Sequence, residues 1–134
     1  MFLKISYAFS LILLISNLLM PTITVAEEGN WRMGRVYYRM VCTDCHKKEA
    51  GGAISPATNT KAEWNEYIWA DKHANGQSSL MHYVSTEFRD TIKARSKIVS
   101  NKKFVAKSTK ELLADVHAFV IYGAKDSETP ARCN

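Results

Sequence analysis

The chain predicts an all-α fold, and three observations carry that expectation. Apolar residues recur at helical spacing in two stretches, Met33 to Val41 and Leu112 to Val120. Two capping boxes, Thr60-Lys61-Ala62-Glu63 and Ser108-Thr109-Lys110-Glu111, mark helix starts, where a hydroxyl and a carboxylate satisfy free backbone N–H groups. The turn signal at Asn75-Gly76 is followed by no alternating run, so it does not open a hairpin. With 134 residues, 46% hydrophobic and 23% charged, the chain has room for one domain and does not read as disordered or low-complexity.

The first segment is not part of that domain. Phe2 to Met20 is mostly apolar with Lys4 as its only charge, and Thr24-Val25-Ala26 offers small residues before a cut. This is the form of a secretory signal peptide over residues 1–26, with a retained membrane anchor as the alternative. The domain is then 27–134. It is expected in the periplasm or otherwise exported, meeting a membrane only through a partner or an uncleaved signal.

Within 27–134 the elements follow in order. Met33, Val36, Tyr37, Met40 and Val41 make one apolar face, with Arg32, Arg35 and Arg39 opposite, and this helix is expected to end at Cys42. Met33 and Met40 are read as core fillers. Glu49 to Asn59, with two glycines and Pro56, is a loop. The helix opened by Thr60 should run to about Lys72, with Trp64, Tyr67 and Ile68 on its aromatic side. His73 to Ser79 reads as a turn, and Phe88, Ile92 and Val99 suggest a helix from about Thr86 to Ser100. The helix opened by Ser108 carries Leu112, Leu113, Val116, Phe119 and Val120 on one face and stops at Gly123. The tail from about 124 is irregular.

The chemistry concentrates at Cys42-Thr43-Asp44-Cys45-His46, the c-type haem attachment pattern. Two intervening residues set the sulfurs apart to meet two vinyl groups, and the next residue presents an imidazole to the iron. A redox dithiol belongs to a strand-to-helix context, which is absent here, and a zinc site would need further ligands at close spacing. An exported chain normally pairs its cysteines, yet there are three. Haem attachment uses two of them and leaves Cys133, in a polar tail, with no assigned role.

Here the chain resembles small single-haem class I cytochromes c. Gly34 and Tyr38 match the family's Gly and aromatic on the first helix, and Val116 and Phe119 match the positions that pack into its crossing with the last helix. The resemblance implies a cytochrome c-like helical fold around one covalently attached haem c, bound through Cys42 and Cys45. It implies His46 as the proximal ligand, with Pro56 as the loop proline whose carbonyl orients that histidine. Glu66-Tyr67-Ile68 is similar to the family's pocket-lining segment, which gives Tyr67 a cofactor-binding role. Met81, after the turn with Gly76, is the first choice for the sixth ligand; His73 and His82 stay open, as does a vacant sixth site. Two features depart from the family: Ser55-Pro56-Ala57-Thr58 replaces Gly-Pro-x-Leu, and the stretch between Met81 and Ser108 is long enough for an added helix.

The implied function is electron carriage between redox partner proteins, not enzymatic catalysis, since no paired acids and no nucleophile with a base are apparent. The alternative is a haem protein with a vacant sixth site, acting as a gas sensor or a peroxidase-like enzyme. A net charge of +5 is too modest to point to nucleic acid. Lys93, Arg95, Lys97, Lys102 and Lys103 form an acid-free basic stretch, read as a docking surface for an acidic partner. His117, on the last helix, is read as packing or surface rather than a ligand.

Overall fold

The computed structural model describes residues 28–49, 52–71, 73, 78–92 and 102–131. It is all-α, with no strand among the described residues. The order is α1 (Trp31–Tyr37), a π-helical segment (Tyr38–Cys42), α2 (Thr43–Glu49), a 3₁₀ turn (Pro56–Thr58), α3 (Lys61–Trp69), α4 (Leu80–Tyr83), α5 (Thr86–Ile92), α6 (Lys102–Val105) and α7 (Thr109–Tyr122). Among the described residues no helix is long and apolar enough to cross a membrane, and residues 1–26 lie outside them.

Asn30 caps α1 by accepting the N–H groups of Arg32 at 3.1 Å and Met33 at 3.2 Å. The expected end at Cys42 is not observed. The Thr43 N–H reaches the Tyr38 carbonyl, one residue farther than in an α-helix, and the chain continues helically to Glu49. Two features sustain the extension: no Gly or Pro stands between Gly34 and Glu49, and Lys48 pairs with Asp44 at 2.8 Å one turn back.

The buried face also differs from the expected one. Gly34, Tyr37, Tyr38 and Val41 are buried, whereas Val36 is 40% and Met40 39% exposed. The reason is the crossing of α1 with α7, the most extensive helix–helix contact of the fold. A Cβ on Gly34 would lie 1.9 Å from the Asp115 carbonyl oxygen, so the glycine face is the one that can approach. Beside it Tyr38 meets Phe119 edge-on at 5.2 Å between ring centres, and Trp31 stacks on Tyr122 at 4.2 Å.

The last helix follows its sequence closely. Ser108 and Glu111 form both hydrogen bonds of the capping box, and Leu112, Leu113, Val116, Phe119 and Val120 are buried. Asp115 is buried among them, its carboxylate accepting the Asn30 N–H at 2.7 Å and pairing with Lys107 at 3.0 Å. Gly123 ends the helix by close packing and not by a left-handed turn: its φ is −97°, and a Cβ there would lie 2.9 Å from Pro56 Cβ. The tail is irregular as expected, yet it is tied down through Lys125 N–H to the Asn59 carbonyl and Ala131 N–H to the Gly123 carbonyl, both at 2.9 Å.

Helix α3 starts at its capping box but stops at Trp69, short of Lys72. Asp71 adopts the left-handed region at φ 51°, which reverses the chain. Its Oδ1 then accepts the N–H groups of Leu80 at 2.6 Å and Met81 at 3.2 Å, fixing α4 back against the end of α3. The helix expected over 86–100 is observed as α5 over 86–92; residues 93–100 lie outside the described residues. Arg89 is buried at 2% exposure because it donates to the carbonyls of Phe104 and Lys107 and to Thr86 Oγ1, joining α5 to the end of α6.

Candidate functional site

The π-helical segment and α2, with α7, α3 and the loop before α3, surround a cavity of about 480 Å³. Such a volume lies within the range of roughly 300–1,000 Å³ that accepts small ligands and cofactors. The extended first helix supplies one wall: Tyr38, Val41 and Cys42 come from the π segment, and Cys45 and His46 from α2. This stripe recurs every three or four residues, so the continued helix is what brings both thiols and the imidazole to the same cavity. Val116 and Val120 of α7 and Trp64, Tyr67 and Ile68 of α3 add an apolar and aromatic surround. His73, Leu80, Tyr83 and Phe88 complete it from the far side of the chain reversal at Asp71.

The electrostatics suit uncharged donors. Burial, opposed by a backbone hydrogen bond and reinforced by Cys45, pushes the Cys42 thiol up to about 12. Burial, and then the neighbouring His73, hold the His46 imidazole below its ordinary value, a shift toward the neutral form. Burial also raises the Tyr67 phenol, with Cys42 and Asp71 acting in the same direction. Cys42 and Cys45 are not joined by a disulfide.

Each expected site residue has a definite place. Cys42, Cys45, His46 and Tyr67 line the cavity together. Pro56 is buried but does not line it, although the adjacent Ser55 does. The Pro56 carbonyl, expected to accept from the proximal histidine, accepts the Trp64 Nε1–H at 2.7 Å. Met81 is 45% exposed and is not a lining residue. His82 is exposed, with its ring 5.4 Å from those of Tyr83 and Phe88. His73 does line the cavity, its ring centre 5.9 Å from that of His46 at an interplanar angle of 79°. His117 stays outside it; its Nε2 lies 2.6 Å from Asn65 Oδ1, and Trp69 stands beside it, 61% exposed.

Three contacts that support the site go beyond the sequence reading, which placed Trp64 only on the aromatic side of its helix. Trp64 carries a hydrogen bond that ties α3 to the Pro56 loop, Asp71 shapes the reversal before His73, and the Ser78 carbonyl lies 3.4 Å from His73 Nδ1. Only the left-handed tolerance of Asp could have hinted at the second. Cys133, Lys93, Arg95 and Lys97 lie outside the described residues, as do the side chains of Lys102 and Lys103.

Comparison with models of known protein families, with curated proteins and with solved structures yields no match.

Proposed function

We propose that the chain is an exported single-haem c-type cytochrome that carries electrons between redox partner proteins, with a cytochrome c-like fold about the cavity. The observation that carries this reading is the convergence of Cys42, Cys45 and His46 on one apolar cavity of about 480 Å³. Among the described residues no group of three or more His, Cys, Asp and Glu could hold a bare metal ion. A zinc centre is therefore a poor fit to these donors, whereas two thiols beside one imidazole suit a metal already held in a macrocycle. A thiol-exchange role fits no better: it requires a thiol made acidic, and burial drives Cys42 the other way.

When bound, haem supplies a one-electron iron couple at this site. Cys42 and Cys45 would hold it by addition of each S–H across a vinyl C=C, the sulfur bonding one carbon and the hydrogen ending on the other, with no oxidant and no leaving group. His46 would donate an imidazole nitrogen to the iron. Tyr67 and Trp64 of α3, with Val116 and Val120 of α7, would exclude water from the porphyrin face. The basic stretch that includes Lys102 and Lys103 would attract an acidic partner.

The test is expression of the full chain with a competent haem-attachment system, followed by mass measurement of the exported protein and a visible spectrum with and without carbon monoxide. Added haem mass resistant to acid extraction is expected for the native chain. Loss of one attachment is expected for Cys42→Ala or Cys45→Ala, and loss of normal ligation for His46→Ala. A native chain without added haem mass refutes the proposal; a haem spectrum that shifts at once with carbon monoxide favours a vacant sixth site.

A further inference from the structure

Resting on the haem reading, we infer that His73 is the sixth ligand in place of Met81, so that His46 and His73 form a two-imidazole axial pair. Four observations carry it. His46 and His73 line the same cavity, whereas Met81 is 45% exposed and His82 is exposed, and neither lines it.

The second observation is the spacing. A histidine nitrogen bonds a transition metal at about 2.0–2.1 Å and the ring centre lies roughly 1.1 Å beyond it, so two imidazoles on opposite sides of one ion have centres about 6.3 Å apart. The ring centres of His46 and His73 are 5.9 Å apart. Their interplanar angle of 79° is no obstacle, because two rings that share a ligand axis can take any mutual rotation about it.

The third is the hydrogen-bonding state of His73. Its Nδ1 lies 3.4 Å from the Ser78 carbonyl oxygen. A carbonyl only accepts, so this hydrogen bond calls for the Nδ1–H tautomer, in which the lone pair is on Nε2, where a metal would take it. Metal-binding histidines characteristically donate their second nitrogen in this way, which fixes both tautomer and ring orientation. Tyr83 meets the ring edge-on at 4.8 Å and is itself held, since its carbonyl accepts the Tyr37 hydroxyl at 2.7 Å.

The fourth is how the competing methionine is held. The Asp71 carboxylate accepts the N–H of Met81 and of Leu80, and this register buries the Leu80 side chain while leaving Met81 toward solvent. Bringing Met81 to the cavity would require that register to break. A second imidazole also lowers the reduction potential relative to a thioether, which stabilises ferrous iron.

The test uses the full chain with attached haem. The native ferric protein should lack the near-infrared band of sulfur bound to iron. His73→Ala should lose the low-spin spectrum and bind carbon monoxide when reduced, and added imidazole should restore the low-spin bands; Met81→Ala should leave the spectrum unchanged. His73→Met should remain haem-loaded and raise the reduction potential, which separates a change of ligand from misfolding. A sulfur band in the native protein, lost in Met81→Ala, overturns the inference while leaving the haem reading intact. So does a His73→Ala protein that stays low-spin. Absence of haem mass on the native chain refutes both.

Discussion

Replacing Gly34 with Ala tests the helix crossing on which the site is built. The new Cβ would lie 1.9 Å from the Asp115 carbonyl oxygen, 2.5 Å from its carbon and 3.0 Å from Phe119 Cβ. Real Cβ contacts almost never fall below 3.0 Å, so the two backbones must separate by about 1.1 Å along this line, the difference between 3.0 and 1.9 Å. Neither obstacle is the end of a flexible side chain, and rotamer changes cannot relieve it. A gap of about 0.5–1 Å forfeits a quarter to a half of each contact's dispersion attraction. The affected contacts include the Tyr38–Phe119 pair and the stack of Trp31 on Tyr122. Overpacking of this kind costs about 1–3 kcal/mol or more, and a backbone obstacle belongs at the upper end. Alanine's advantage over glycine inside a helix returns about 1 kcal/mol.

A net loss of about 2 kcal/mol is therefore expected. At about 4–8 °C per kcal/mol for a domain near 100 residues, the melting temperature should fall by roughly 8–16 °C. Thermal unfolding followed by far-ultraviolet circular dichroism on Gly34→Ala measures this, with the exposed Arg35→Ala as a control expected to change stability by less than about 0.5 kcal/mol. If Gly34→Ala melts within 3 °C of the native protein, α1 and α7 do not cross as described.

Other expectations follow from the same contacts. Trp64→Phe removes the 2.7 Å bond to Pro56 and leaves a buried carbonyl without that donor, so stability measured by denaturant unfolding should drop by about 1–3 kcal/mol. Thr60 and Ser108 hold the carboxyls of Glu63 and Glu111 below the ordinary value of 4.5. Depressed carboxylates contribute stability above that value and lose it as pH falls through their lower folded values, so helix content should fall on acidification below about pH 4.5 and Glu111→Gln should flatten that dependence. The proposed electron-carrier role predicts that reversing Lys102 and Lys103 to Glu slows electron transfer to an acidic partner and that raising salt slows the native rate, since surface charges interact over only about 8 Å at 0.15 M ionic strength. An indifferent rate in stopped-flow mixing would place docking elsewhere.

What could be read in the sequence was local or periodic. The capping boxes at Thr60 and Ser108 work because Glu stands three residues after the hydroxyl, and both are observed. The resemblance added one longer-range pairing, Gly34 with Phe119, which meet at the crossing, while Val116 lines the cavity that the cysteine motif reaches. Interactions between distant segments were not legible. Asp115 sits in the middle of an apolar helix face because Asn30 and Lys107 come to it. Arg89, one charge among many in composition, is buried because two distant carbonyls need a donor. The first helix was expected to stop where the Cys42–His46 motif begins, yet no breaker stands there, and a π-helical turn carries it on. The choice between Met81 and His73 depends on the reversal at Asp71, whose consequence appears only once the chain is traced in three dimensions.

That reversal makes the two sides of the site unequal. His46 belongs to the helical run from Trp31 to Glu49, secured by Gly34 against α7, so moving it would disturb the main packing of the fold. His73 belongs to no helix among the described residues, and it is positioned by the Asp71 bonds to Leu80 and Met81, by its own Nδ1 to Ser78 and by edge contact with Tyr83. Local opening takes the least-secured segment first. Under the haem proposal, exchange of an iron ligand for an added gas should therefore proceed from the His73 side while His46 and the two cysteines keep their hold. Under the haem proposal, opening at His73 would leave the attachment through Cys42 and Cys45 in place, because the two lie on different elements.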